Sequence, residues 1–212
     1  MVTPYVPQFG DVILTRPRRW DFWPPWGRLL QEAIRAEQRR CGYPVWQDTH
    51  AVLVLSPQQI LNCTAPRVRL DRWEHVSRGL WTAWRPVFPM PDRMRAAMTE
   101  AAARLVGTRY DYGQLVSILA SDLLGYSSPD YAPWFDLGAR RQVCSTAVRT
   151  VFDAGRKAME AAGEVPPFSV LFLGPDGGKL RVERTHPADF ACSAGVAGGI
   201  ERRLFQRAGG TT

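Results

Sequence analysis

The sequence predicts a single α+β domain over residues 1–212. The chain is long enough to bury a substantial core, and its 45% hydrophobic and 22% charged residues are typical of an ordinary globular protein. Strand patterns dominate residues 10–85, whereas helical patterns dominate residues 91–155. Neither an internal repeat nor a linker-like stretch separates the two parts, so we expect one domain.

The strands are predicted from short apolar runs bounded by turn residues. Residues 10–16 have the pattern of a turn followed by a strand, and residues 49–55 that of a strand buried on both faces. Further strands are predicted at residues 59–64, 67–70 and 80–85.

A helix is predicted over about residues 28–39, where apolar residues recur at helical spacing, and further helical patterns follow the strands. Residues 91–106 begin at a proline and are followed by a glycine, and residues 112–124 form a second apolar helix. A longer helix begins at residue 144 and continues to about residue 155. Residues 170–173 and 180–182 are predicted to form a closing pair of strands, after which the end of the chain is expected to fray from about Arg202.

Charge and composition limit the classes of function. The chain carries 27 basic and 20 acidic residues, for a net charge of +7, which indicates either an ordinary solvated basic surface or attraction to polyanions such as phospholipid headgroups, nucleic acid or anionic cell wall. The arginines lie in short, scattered clusters without interleaved aromatic residues, so no nucleic-acid partner is expected. The four cysteines and three histidines lack the spacing of metal ligands, and no metal or other cofactor is expected.

The sequence shows no targeting or membrane-spanning segment. No apolar run approaches the ~18 residues that a membrane span needs, and no secretory signal is visible. We therefore expect a cytoplasmic protein, or one exported by a route that needs no such signal, of bacterial or phage origin.

Cys144 is the candidate nucleophile. It stands immediately before an apolar periodic segment, where Ser145 and Thr146 can cap a helix, so its sulfur is expected at a helix N-terminus. The partial positive charge there favours a thiolate, as do nearby cations such as Arg140 and Arg141.

A nucleophilic cysteine needs a base, and His50 is the candidate. It follows polar residues and opens the buried strand at residues 49–55, where its ring can reach the edge of the sheet. Asn62 or Thr64, on the next strand, could hold the far ring nitrogen and fix the tautomer.

Five short motifs occur in an order that resembles the permuted papain-like NlpC/P60 superfamily, especially its YiiX/YebB-like branch. They are GDVILTR at 10–16, THAVLVL at 49–55, ILNCTAPRVRL at 60–70, RYDYG at 109–113 and VCS at 143–145. PADF at 187–190 resembles a piece that often follows in that family. The resemblance covers about residues 9–155, and the histidine precedes the cysteine, reversed from papain.

The resemblance implies a circularly permuted papain-like fold with a central antiparallel sheet and the nucleophile at a helix N-terminus. Cys144 would be the nucleophile, His50 the base and Asn62 the polar third residue, where glutamate is more usual. The activity implied is that of a thiol hydrolase (an amidase, a peptidase or a lipid acyl hydrolase) or an acyltransferase. It would act on an amide or ester of a lipid or cell-wall substrate such as peptidoglycan, through a thioester intermediate.

Two other functions stay open. An inactive papain-like binding module is supported by Asn62 and by Thr146, which stands where the family commonly has glutamate. A basic nucleic-acid-binding protein is supported only by the net charge.

The substrate-binding residues are expected around this site. Tyr110 and Tyr112 either line the cleft or pack into the core with satisfied hydroxyls. The Trp- and Pro-rich insertion at residues 17–46 is far longer than the about 4–6 residues that connect two strands. Since it ends just before His50, we expect Trp23 and Trp26 to form an apolar wall of the groove that leads to Cys144.

Overall fold

The computed structural model describes residues 5–16, 25–40, 47–77, 80–86, 88–113, 116, 141–167 and 200–203. Over these ranges the chain forms an α+β architecture, as the sequence predicts. Its strands are β1 (Val12–Arg16), β2 (His50–Val54), β3 (Gln59–Thr64), β4 (Arg67–Arg72), β5 (Leu80–Pro86), β6 (Arg109–Tyr110), β7 (Arg141–Gln142) and β8 (Ile200–Arg203). The helices in the described ranges are α1 (Pro25–Arg40), α2 (Trp73–Ser77), α3 (Asp92–Leu105) and α4 (Cys144–Ala161).

The described strands form one sheet in the order β7-β6-β4-β3-β2-β1-β5-β8. Every neighbouring pair is antiparallel except β6 and β7, which are parallel. The centre of the sheet is made by β1, β2 and β3, whose apolar runs bury nearly every side chain. This arrangement places the start of β2 between β1 and β3.

Helices α3 and α4 pack against each other, and α4 also contacts β2 and β3. Gly155 allows the two helices to approach closely, because a Cβ at this position would lie 2.8 Å from Cγ of both Met94 and Met98. The resulting core combines α3 and α4 with one face of the sheet, including Leu14 and Leu53. The N-terminus of α4 is thereby fixed against the central strands.

A second, smaller apolar cluster contains Ile13, Val52 and Ile60, which alternate along their strands with the residues of the main core. Aromatic rings extend it: Trp81 lies 5.0 Å from Tyr5 and 5.2 Å from Trp73, measured between centroids. Both sides of the central strands are therefore covered, which explains their continuous apolar sequence.

The buried carboxylate of Asp11 fastens the N-terminal segment to the sheet. It accepts two hydrogen bonds from the guanidinium of Arg85 on β5, at 2.8 and 2.7 Å, and one from the hydroxyl of Tyr5 at 2.7 Å. The backbone N–H of Gln8 donates to the same carboxylate at 2.9 Å. Asp11 is only 1% exposed, and its buried negative charge is compensated by the positive guanidinium and by these hydrogen bonds.

Several elements differ from the sequence-based expectations. Helix α1 begins at Pro25, a few residues before the predicted start at residue 28. The expectation that the chain frays from about Arg202 is wrong for Arg202 and Arg203, because β8 pairs with β5 through Arg203. The predicted strands at 170–173 and 180–182 lie outside the described residues, as does most of the predicted helix at 112–124. In the described part of the chain, no helix is long and apolar enough to cross a membrane.

Candidate active site

Cys144 is the first residue of α4. Val143 precedes it in an extended conformation, and its backbone N–H donates to the hydroxyl of Thr146 at 3.1 Å. This is one half of a capping box, in which the third helical residue reaches back to the residue before the helix. The first turn holds no acidic side chain, so the positive end of the helix dipole acts on the sulfur of Cys144.

His50 opens β2, and its side chain forms a hydrogen bond with that of Cys144. Burial raises the pKa of the Cys144 thiol, but the charge and hydrogen bond of His50 outweigh it and hold the pKa below its ordinary value. The backbone N–H groups of Ala51 and Ser145 lower the pKa of Cys144 further by donating to the sulfur. Burial lowers the pKa of His50, whereas Cys144 and Asn62 raise it above its ordinary value. Both directions favour a thiolate beside an imidazolium.

Asn62 holds the other side of the imidazole ring. The Oδ1 atom of Asn62 lies 2.9 Å from Nε2 of His50. An amide oxygen can only accept, so Nε2 carries the proton and donates it to Asn62. Nδ1 is then the ring nitrogen that remains for the thiol of Cys144.

Asp71 joins the same arrangement, although the sequence did not single it out. Asn62 Nδ2 donates to Asp71 Oδ2 at 2.7 Å, and Arg69 Nε donates to the same oxygen at 2.8 Å. The register of β3 and β4 pairs Ile60 with Asp71, which makes Asp71 a diagonal neighbour of Asn62 on one face of the sheet. Once that register was known, counting two residues along β4 from Arg69, which pairs with Asn62, would have found Asp71.

Thr64 was the other residue considered as a partner for His50. Its hydroxyl oxygen is buried and has no hydrogen-bond partner among the described residues. The structure therefore brings Cys144, His50 and Asn62 together and leaves Thr64 out.

A second cysteine, Cys63, lies in the same apolar core as Cys144. Burial raises the pKa of Cys63 well above its ordinary value, and the charge of Cys144 raises it further. Both side chains are thiols. The pKa shifts of the two thiols are thus opposite, and they favour the thiolate form at Cys144 and the neutral form at Cys63.

Comparisons with known proteins show a distant structural similarity. No family model matches the chain, and no curated protein matches it. Among solved structures, the chain is similar to the crystal structure of the metalloprotein YiiX from Escherichia coli O157:H7, DUF1105. The identity is 17% and the TM-score 0.44, over 74% of this chain and 68% of that chain. A likeness at this level says nothing about the activity of this chain.

Tyr110 lies beside the cysteine, in contact with both the main core and a small cluster formed by Ile34 of α1 and Val143. Burial, and then the charge of Cys144, raise the pKa of Tyr110 well above its ordinary value, which keeps the phenol protonated. The ring of Tyr112 lies 4.9 Å from that of Tyr110. Both tyrosines predicted for the cleft are therefore close to one another, and Tyr110 lies close enough to Cys144 for the charge of the sulfur to act on it.

The predicted tryptophan wall is only partly covered by the structure. Trp23 lies outside the described residues, and Trp26 belongs to α1, where its side chain is not described. Helix α1 itself approaches the residues before β2, because Gln38 Nε2 donates to the backbone carbonyl of Asp48 at 3.1 Å. The position of both indole rings relative to the groove stays a prediction.

The two other histidines are His75 and His186. His75 is exposed on α2, with its Nδ1 3.9 Å from Asp71 Oδ1, and His186 lies outside the described residues. In the ranges that the structure describes, no group of three or more His, Cys, Asp or Glu side chains could hold a metal ion. The groups that the described site offers for chemistry are a thiolate, an imidazolium and helix N–H donors.

Proposed function

We propose that this chain is a papain-like cysteine hydrolase or acyltransferase, with the chain order permuted so that the histidine precedes the cysteine. The observation that carries the proposal is the hydrogen bond between Cys144 at the start of α4 and His50. An opposed pair of pKa shifts, lowering the thiol and raising the imidazole, is the preparation that a cysteine nucleophile needs.

The reaction follows from these groups. The Cys144 thiolate attacks the carbonyl carbon of an amide or ester, and backbone N–H groups at the start of α4 stabilise the oxyanion. Such donors contribute about 3–4 kcal/mol each in comparable sites. When the tetrahedral intermediate collapses, its bond to the leaving amine or alcohol breaks and the His50 imidazolium protonates that group. A thioester remains on Cys144.

The second half of the reaction clears the thioester. Neutral His50 removes a proton from water, or from an alcohol or amine acceptor, as it attacks the thioester carbonyl. The bond to sulfur breaks and releases the acid, or the new ester or amide, and the thiolate–imidazolium pair is restored. Asn62 keeps the ring in place throughout, because its oxygen accepts from Nε2 in both ring states.

For the substrate we propose an amphipathic lipid or cell-wall compound with an anionic group. Arg67 and Arg109 lie directly opposite each other across β4 and β6, and both are exposed. Neither forms an ion pair with another described residue, and like charges at such positions repel. An anionic group would relieve this repulsion. The adjoining residue Tyr110 contacts the nucleophile's surroundings, so this surface is close to the site.

The proposal is tested by trapping the acyl group. The protein is incubated separately with anionic phospholipid vesicles, with zwitterionic vesicles and with muropeptides, and each reaction is quenched in acid. The mass of the peptide that contains Cys144 is then measured by mass spectrometry. With one of these substrate classes, we expect the mass of the Cys144 peptide to increase by that of an acyl group. The added mass should be absent in Cys144→Ala and should be removed by hydroxylamine, which cleaves thioesters. Trp23→Ala and Trp26→Ala are expected to lower kcat/KM for that class.

Two outcomes would contradict the proposal. An unmodified Cys144 with every substrate, combined with undiminished binding in Cys144→Ala, would favour the inactive binding module. Binding to DNA or RNA that falls steeply with salt, with no binding to vesicles or muropeptides, would favour the nucleic-acid protein instead.

A further inference from the structure

We infer that Asp71 is a positioning residue of this site, which fixes the orientation of the Asn62 amide and through it the tautomer of His50. The inference rests on the proposed function. It concerns a residue beyond Cys144, His50 and Asn62, and it follows from hydrogen-bond geometry.

The first step is the orientation of the amide. The two ends of an asparagine side chain have nearly the same shape and differ mainly in hydrogen bonding. Asp71, as a carboxylate, can only accept, so it selects the Nδ2 end, which donates to it at 2.7 Å. Rotating the amide by half a turn would put its oxygen against the carboxylate and its N–H groups against the N–H of His50. Both contacts would be repulsive.

The second step is the tautomer of the ring. With the amide so oriented, Oδ1 of Asn62 faces Nε2 of His50 at 2.9 Å and requires a proton there. A neutral His50 then has an unprotonated Nδ1 toward Cys144 and can take the thiol proton. The opposite tautomer would present an N–H to the sulfur and could not act as the base.

The third step is what holds Asp71. Arg69 Nε donates to Oδ2 of Asp71 at 2.8 Å, and His75 of α2 lies 3.9 Å from Oδ1. These two and Asn62 are the polar groups that the described elements direct at Asp71. The carboxylate is 12% exposed, and Asn62 is 6% exposed, so water competes little for this bond.

Asp48, which precedes His50 by two residues, does not take this role. Its carboxylate faces Arg16 and Thr82, each at 3.4 Å. The hydrogen bonds through Asn62 instead link Asp71 to His50.

The tautomer is measured directly in the Cys144→Ala protein, in which the ring has no thiolate beside it and is neutral at pH 8. The chain has three histidines, so long-range ¹H–¹⁵N spectra of the imidazole rings resolve His50 readily. We expect the Nε2–H form with Asp71 present and a mixture with the Nδ1–H form after Asp71→Ala. Asp71→Asn keeps an acceptor but can also turn its NH₂ toward Asn62, so we expect a smaller change.

The consequence for the nucleophile is measured with Cys144 in place, as the rate of iodoacetamide addition to Cys144 against pH. We expect Asp71→Ala to lower this rate about tenfold at pH 6, the factor that loss of one charge-assisted hydrogen bond corresponds to. Glu74→Gln is the matched control, because Glu74 is an exposed carboxylate three residues away and its loss changes the net charge equally. We expect that control to match the wild type.

A double substitution separates positioning from a structural role. If Asp71 acts through Asn62, Asp71→Ala changes neither the tautomer nor the alkylation profile in the Asn62→Ala background. Equal effects of Asp71→Ala with and without Asn62, or a pure Nε2–H tautomer in Cys144→Ala/Asp71→Ala, would overturn the inference. Failure of the proposed function looks different, since Cys144 would then acquire no acyl group although the tautomer still depends on Asp71.

Discussion

His50 carries two functions with its two ring nitrogens. Nε2 is committed to Asn62, and the other nitrogen is left for the thiol of Cys144. The amide oxygen of Asn62 can only accept a hydrogen bond, so Nε2 keeps its proton. The other ring nitrogen can therefore take the proton that the thiol gives up. Removing one partner is therefore expected to alter the chemistry more than the fold.

Asn62→Ala tests this separation. Without the amide oxygen the ring of His50 is free to adopt either tautomer, so kcat is expected to fall by at least about tenfold, within the range of general acid–base contributions. Cys144 stays in place, and prolonged treatment with iodoacetamide still labels it fully. Unchanged kcat in Asn62→Ala would remove Asn62 from the mechanism, whereas complete loss of labelling in a folded protein would show that Asn62 does not act on the ring of His50 alone.

Cys144, His50 and Asn62 could be proposed from the sequence because each belongs to a motif of recognisable type and order. Asp71 could not, because its link to Asn62 depends on the register between β3 and β4. Nor could Thr64 be separated from Asn62, since only side-chain geometry shows which of them reaches the ring. Local sequence thus identifies the residues that are capable of the chemistry, whereas strand register decides which of them lie in contact.

At the level of elements, the start of α4 is held by its third residue. Val143 offers no side-chain acceptor, and the hydroxyl of Thr146 binds the Val143 N–H instead. The hydroxyl is buried and also lies 3.1 Å from the carbonyl of Val143, to which it can donate. The position of Cys144 at the helix N-terminus therefore depends on a neighbour within the same turn.

Thr146→Val removes this hydroxyl while keeping the branched shape of the side chain. We expect the free energy of unfolding to fall by about 1 kcal/mol, the usual cost of losing a capping bond, in denaturant titrations. Thr99→Val is the control, because the Thr99 hydroxyl donates to the carbonyl of Arg95 on an exposed helix face; its expected change is within about 0.5 kcal/mol. Equal changes in both variants would contradict a capping role for Thr146.

The long central strands and α3 and α4 were predictable from apolar periodicity, because each buries several side chains in a regular pattern. The short strands were not. β6 and β7 have two residues each, too few to show a period, and β8 has the sequence IERR, with one apolar residue. Such short strands form because a neighbouring strand offers unpaired backbone groups, which leaves no mark on their own sequence.

At the level of the whole molecule, Asp11 joins parts of the chain that are distant in sequence. Its carboxylate connects β1 to Arg85 on β5 and to the segment around Tyr5 and Gln8. Arg85 also donates to the carbonyl of Val6 at 2.9 Å. The start of β1 is thus tied both to β5 and to the segment that precedes it.

Asp11→Asn is expected to destabilise the protein by about 3 kcal/mol, because an amide N–H would face the guanidinium and leave it without its buried counter-charge. The measurement is the unfolding free energy from denaturant titration. Glu100→Gln removes a carboxylate of an exposed ion pair with Arg104, and its cost is expected to be about 0.5 kcal/mol or less. Similar small costs for both variants would show that Asp11 does not fasten the N-terminal segment.

The central claim, that His50 activates Cys144, is tested most directly by the pH dependence of alkylation at each cysteine, read by peptide mass spectrometry. We expect Cys144 to react at pH values well below the ordinary thiol pKa, whereas buried Cys63 in the same sample stays unlabelled. His50→Gln removes the cation but keeps the burial, so the pKa of Cys144 should rise and labelling at neutral pH should fall. A Cys144 profile with an ordinary or raised pKa in the wild type, or one that His50→Gln leaves unchanged, would contradict the account.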